Sequence, residues 1–116
     1  MTDRMAPMPK APAPAGRFIA IWVFSVRRRH LDDFKSAYGP AGTWAALFRK
    51  ADGYLGTELC ADRANPRRFF TIDRWRTRAA FDAFHRRFRA EYEALDRLCE
   101  PFTEHEQLIA ELETVG

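Results

Sequence analysis

Residues 68–99 read RFFTIDRWRTRAAFDAFHRRFRAEYEALDRLC, and within them the apolar repeat changes from that of a strand to that of a helix. Phe69, Thr71, Asp73 and Trp75 alternate with Phe70, Ile72 and Arg74, which is strand spacing over 68–76. Thr77 is placed to cap a helix. Phe81, Phe84, Phe88, Tyr92, Leu95 and Cys99 then recur at steps of three and four, one face of that helix over 78–99. The opposite face carries Asp82–Arg86, Arg89–Glu93 and Glu93–Arg97 at the four-residue spacing of solvent-side ion pairs.

Upstream, residues 54–61 alternate Leu55, Thr57, Leu59 and Ala61 with Tyr54, Gly56, Glu58 and Cys60, a second strand. The five residues Asp62-Arg63-Ala64-Asn65-Pro66 form the turn between the two. Residues 17–26, RFIAIWVFSV, are apolar without alternation, as in a strand covered on both faces. From His30 to Ala51 the spacing is helical, and Gly39-Pro40 divides it into two segments. Downstream, 103–115 alternates again, with Leu108, Ala110 and Leu112 on one side. The order β-α-β-β-α-β predicts an α+β class, a ferredoxin-like sandwich. Its helices cover one sheet face, so the second apolar side of strand one needs another cover. The same sheet of a second copy of the chain is the economical one.

Composition agrees with one working domain over 17–116 behind a Pro/Ala-rich tail at 1–16 that is expected to be disordered. Ten Phe, three Tyr and three Trp exceed what so small a core needs, which asks for a partner or a ligand. The formal charge is +3, and sixteen of the nineteen basic residues are Arg. Local acidic neighbours account for much of that Arg, so no nucleic-acid partner is expected. Arg67-Arg68-Phe69-Phe70 has a faint likeness to an RNA-recognition sheet, set aside because strand one is apolar on both sides. Cys60 and Cys99 sit far apart in apolar positions and read as free thiols. With neither a leader-like apolar run nor a membrane-length one, the expected place is the cytoplasm, with no membrane association.

WAALFRKADGYLGTEL at 44–59, FFTIDRWRTRAAFDAF at 69–84 and EYEALDRLCEPFTEHEQLIAEL at 91–112 together resemble the antibiotic biosynthesis monooxygenase-like domains of the dimeric α+β barrel superfamily. The resemblance spans about 17–115 and implies a homodimer with an apolar pocket between sheet and helices. It also implies a cofactor-independent oxygenase of electron-rich phenols or hydroquinones, polyketide-like compounds among them. The protein would help remove a proton, and the anion would pass an electron to dioxygen, with no metal or flavin required. Haem-degrading relatives use an Asn on the first strand, then a Trp and a His on the second helix. Those positions fall here near Trp22, Phe84 and Tyr92, and the single Asn of the chain, Asn65, lies in a turn. Haem degradation is therefore not the expected activity.

The candidate proton acceptors are Asp73, an acid on a strand between aromatics, and His85, the best-placed imidazole. Glu58, on the neighbouring strand, shares the question of what neutralises it, and Arg74 or Arg76 are the expected partners. Trp22, Tyr38, Trp44, Trp75, Phe84 and Tyr92 are the candidate contacts for a small apolar or aromatic ligand, with Tyr38 and Trp44 beside the Gly39-Pro40 break at the pocket mouth. The three His do not cluster, and no metal site is expected. A non-catalytic dimeric small-molecule binder, or an isomerase of the same superfamily, fits the same residues.

Overall fold

The computed structural model describes residues 16–116. The expectation for the tail falls, but for Gly16, outside them. Four strands, β1 (Phe18–Val26), β2 (Tyr54–Asp62), β3 (Asn65–Trp75) and β4 (Thr103–Glu113), form one antiparallel sheet in the order β2-β3-β1-β4. Helical segments α1 (Leu31–Tyr38), α2 (Thr43–Phe48), α3 (Arg78–Arg87) and α4 (Arg89–Cys99) complete the expected ferredoxin-like α+β order. The Gly39-Pro40 pair does split the first helical region. Gly42 starts α2, its N–H bonded back to the Gly39 carbonyl at 2.9 Å, while Arg49 donates to the Pro40 carbonyl at 2.7 Å.

One sheet face is the core. Phe18, Ala20, Phe24 and Val26 of β1 and Phe69, Thr71, Asp73 and Trp75 of β3 are buried on it, under Phe34, Tyr38, Trp44, Phe48 and Phe84 from the helices. The Phe24 ring meets those of Phe34 and Tyr38 at 5.2 and 4.9 Å, and Trp75 meets Phe48 and Phe84 at 5.7 and 5.3 Å. The other face carries Ile19, Ile21, Val23, Phe70, Ile72, Cys60, Ala110 and Leu112, half-buried or exposed in the single chain. Strand one is thus apolar on both sides, with one side covered by its own helices.

Five local expectations change. The β2–β3 connection shrinks from five residues to Arg63-Ala64, because Asn65 and Pro66 join the start of β3, before its pairing with β1 begins, where proline's missing N–H costs nothing. The long helix bends at Phe88 (φ −109°, ψ 27°), although Phe88 N–H still bonds to Phe84 and Tyr92 N–H to Phe88. Thr77 does cap α3, accepting from Ala80 N–H at 3.1 Å. The ion pair on that helix is Arg78–Asp82 at 3.1 Å; Arg78 also reaches Glu111 on β4 at 3.3 Å, and the three pairs expected from spacing do not form among the described residues.

The remaining two changes are register shifts. Between Tyr54 and Gly56, β2 slips by one residue against β3, so Tyr54 faces the same side as Thr57 rather than the opposite one. Gly56 there has φ +145°, a conformation that side-chain-bearing residues rarely adopt. In β4 a slip between Ile21 and Trp22 of its partner splits the expected Leu108-Ala110-Leu112 stripe. Leu108 lies opposite Trp22 and Glu106 opposite Phe24 on the core face, while Ala110 and Leu112 lie opposite Ile21 and Ile19 on the outer one.

Candidate functional site

Between sheet and helices lies a cavity of about 50 Å³. Aromatic rings from every layer form its walls: Trp22 and Phe24 from β1, Tyr38 from α1, Trp44 and Phe48 from α2, and Tyr92 from α4. Its polar groups are Thr57, Thr71 and Asp73 on the sheet, and Asp96 and Glu106 from the exposed ends of the lining.

Asp73 is central to its chemistry. It sits on β3 opposite Ala20 of β1 and Thr57 of β2, and is only 8% exposed. The Thr57 hydroxyl donates to Asp73 Oδ1 at 2.6 Å, and the Tyr54 hydroxyl lies 2.6 Å from Thr57 Oγ1. Thr57 has one proton and spends it on the carboxylate, so Tyr54 is the donor at the far end of the chain. Neither Arg74 nor Arg76 reaches Asp73: Arg74 pairs with Glu58 at 2.7 Å on the outer face, and Arg76 lies 3.8 Å from Asp52. Glu58 is exposed and does not share Asp73's face, since adjacent residues of a strand point to opposite sides. Burial without a cation pushes the Asp73 carboxyl up to about 6, against the smaller opposing pull of the Thr57 hydrogen bond.

Trp44 supplies a donor. It is buried, and its indole N–H has no acceptor among the described residues at hydrogen-bonding geometry, although the Tyr38 hydroxyl and Cys99 thiol are its polar neighbours. Its ring stands 4.9 Å from that of Tyr92 and 5.9 Å from that of Tyr38. Burial raises the Tyr38 and Tyr92 hydroxyls well above the ordinary phenol range, so both stay protonated.

The structure therefore brings Trp22, Tyr38, Trp44, Asp73 and Tyr92 together on one cavity. Trp75, Phe84 and His85 do not line it. Trp75 and Phe84 are core, each 1% exposed, and the Trp75 N–H is also buried without an acceptor. His85 packs behind the wall, its ring 4.4 Å from that of Phe81 and 4.9 Å from that of Tyr92. Burial lowers its pKa, with Asp82 pulling weakly the other way. Phe24, Phe48, Thr57, Thr71, Asp96 and Glu106 were not singled out by sequence. Asp96 could have been: it stands four residues after Tyr92, one helical turn along the same face. Glu106 could have been too: it shares the face of Leu108 by strand alternation, and the β4 slip turns Ala110 and Leu112, not Glu106, to the outer side. No group of three or more His, Cys, Asp or Glu among the described residues is gathered to hold a metal ion.

The sequence profile of the family described as antibiotic biosynthesis monooxygenase matches residues 17–95. Among solved structures, PA3566 from Pseudomonas aeruginosa superposes with a TM-score of 0.65 at 18% identity, covering 90% of this chain and 100% of its own. A candidate antibiotic biosynthesis monooxygenase from Bordetella bronchiseptica gives 0.69 at 20% identity, covering 86% and 98%. SnoaB, a cofactor-independent oxygenase from Streptomyces nogalater, gives 0.67 at 17% identity, covering 87% and 98%. At these identities the structural likeness concerns the fold alone. No curated protein matches the chain.

Proposed function

The chain belongs to the antibiotic biosynthesis monooxygenase family, and on that premise we propose that it oxygenates a small electron-rich phenol or hydroquinone in the aromatic cavity, using no bound cofactor. The observation that carries this reading is Asp73, a buried carboxylate with a pKa near 6 facing an aromatic chamber. A base is most useful when its pKa lies near the working pH, and a phenol at about 10 is within reach once its anion is stabilised. Asp73 takes the hydroxyl proton. Trp44 N–H is the donor for the oxyanion, and Trp22, Tyr38 and Tyr92 hold the ring. The anion gives one electron to dioxygen, and the resulting radical and superoxide join through a new C–O bond. Loss of water from the peroxide leaves one oxygen in the product as a carbonyl. The substrate supplies the electrons, so no further reductant enters.

His85, one layer behind Tyr92, supports the wall in this reading. Oxygen uptake with a panel of hydroquinones and phenols tests it. The wild type is expected to show kcat/KM rising through pH 6, and Asp73→Asn to lose about 10²-fold or more. His85→Ala should cost stability and leave the limb near pH 6 in place. Uptake no faster than the protein-free rate would remove the oxygenase and leave a binding protein.

The working unit is a homodimer closed through the outer sheet face, where Ile21 and Ile72 lie opposite each other at the centre of an apolar patch. Its place is the cytoplasm, which suits two free thiols, Cys60 and Cys99. No helix among the described residues is long and apolar enough to cross a membrane.

A further inference from the structure

The charge of the cavity narrows its substrate beyond the class just proposed, and the inference rests on that reading for the reaction but not for binding. Three carboxylates line it, Asp73, Asp96 and Glu106, and among the described residues no Lys, Arg or His does. Six aromatic rings line it too. Asp96 on α4 and Glu106 on β4 stand at its open end, where Tyr92 and Phe24 carry the wall inward: Tyr92 is one helical turn before Asp96, and Phe24 lies opposite Glu106 in register. Burial, and then the neighbouring acids, raise both carboxyls: Glu100 acts on Asp96, Asp96 and Glu100 on Glu106. Arg97 and His105 oppose this only weakly. The nearby acids are thus short of cations. They are not gathered to hold a metal ion. A ring of aromatics with carboxylates at its rim is the arrangement that holds an organic ammonium.

A second observation points the same way. Trp44, buried in the cavity wall beside the Tyr38 hydroxyl and the Cys99 thiol, leaves its N–H without an acceptor, so the wall offers a donor to an oxygen while the carboxylates at the open end offer only acceptors. An oxyanion formed inside, once Asp73 has taken the proton, would face the Asp96 and Glu106 carboxylates and no cation of the described chain. A positive charge on the substrate itself would answer that repulsion. We propose that the cavity selects phenols or hydroquinones carrying a protonated amine, the hydroxyl directed inward to Asp73 and the ammonium outward to Asp96 and Glu106. Substrates bearing a carboxylate at that end are rejected.

Three phenols of similar size that differ in charge form the test: tyramine, 4-ethylphenol and 3-(4-hydroxyphenyl)propanoate, titrated calorimetrically into the full-length protein at pH 7.5 and low salt. Tyramine is expected to bind about ten-fold tighter than 4-ethylphenol, and the propanoate not to bind measurably. The Asp96→Asn, Glu106→Gln double variant, altered only at exposed positions, should bring tyramine to within about three-fold of 4-ethylphenol and leave the latter unchanged. Equal or tighter binding of 4-ethylphenol, binding of the propanoate, no binding of any probe, or a preference that survives in the double variant would each overturn the proposal. These titrations involve no turnover. Ammonium preference without oxygen uptake would keep this inference and discard the oxygenase, and oxygen uptake without the preference would do the reverse.

Discussion

Asp73 carries opposite consequences for activity and stability. Its carboxyl is raised to about 6 in the folded chain, against about 3.9 when exposed. Between those values the folded state holds the extra proton, so stability falls as pH rises through the window and stays lower above it. Asp73→Asn removes that penalty. At pH 7.5 it should unfold at higher urea concentration, by an amount worth about 2–3 kcal/mol, with the gain fading by pH 4. A variant both inactive and more stable is the signature of a strained functional group, and a loss of stability at pH 7.5 would contradict it. Thr57 restrains the same carboxyl through the 2.6 Å hydrogen bond. In Thr57→Val that bond is gone, so the rising limb of kcat/KM should move above pH 6. A limb at or below 6 would show that the hydroxyl does not tune Asp73.

At the scale of elements, the register slips decide what the cavity contains. The slip at Leu55–Gly56 puts Tyr54 in line with Thr57, and without it the relay to Asp73 has no outer member. Gly56 has open space around an added Cβ but a φ of +145°, so Gly56→Ala meets backbone strain and no clash. The expected cost is about 1–3 kcal/mol in urea unfolding. Relief of the strain by undoing the slip would lose the Tyr54–Thr57 contact. The helical bend at Phe88 has a comparable part. It leaves α3 holding Phe81 and Phe84 against Phe18 and Trp75, while α4 presents Tyr92 and Asp96 to the cavity. Strand alternation and helical spacing were legible from residue types. The slips were not, because a one-residue slip changes which side chains face inward without changing the pattern that reveals a strand.

For the whole molecule, the outer sheet face is the open question that composition raised and the fold localised. Ile19, Ile21, Val23, Phe70 and Ile72 lie on the two central strands and are only half-buried among the described residues. Light scattering at micromolar concentration should give twice the chain mass, and Ile21→Glu should give the chain mass with the circular dichroism of the folded protein. A wild-type monomer would overturn the barrel. By itself, the sequence determined the element order, the ferredoxin-like topology and the β3 stripe that carries Phe69, Asp73 and Trp75, since each follows from local periodicity and residue type; that Asp73 is buried and Glu58 exposed was decided by the fold. Only the tertiary structure decided that Asp73 answers to Thr57 rather than an arginine, that His85 stands behind the wall, and that Asp96 and Glu106 join Asp73 around one aromatic cavity. Those facts depend on strand register and helix direction, which are set by packing between segments distant in the chain.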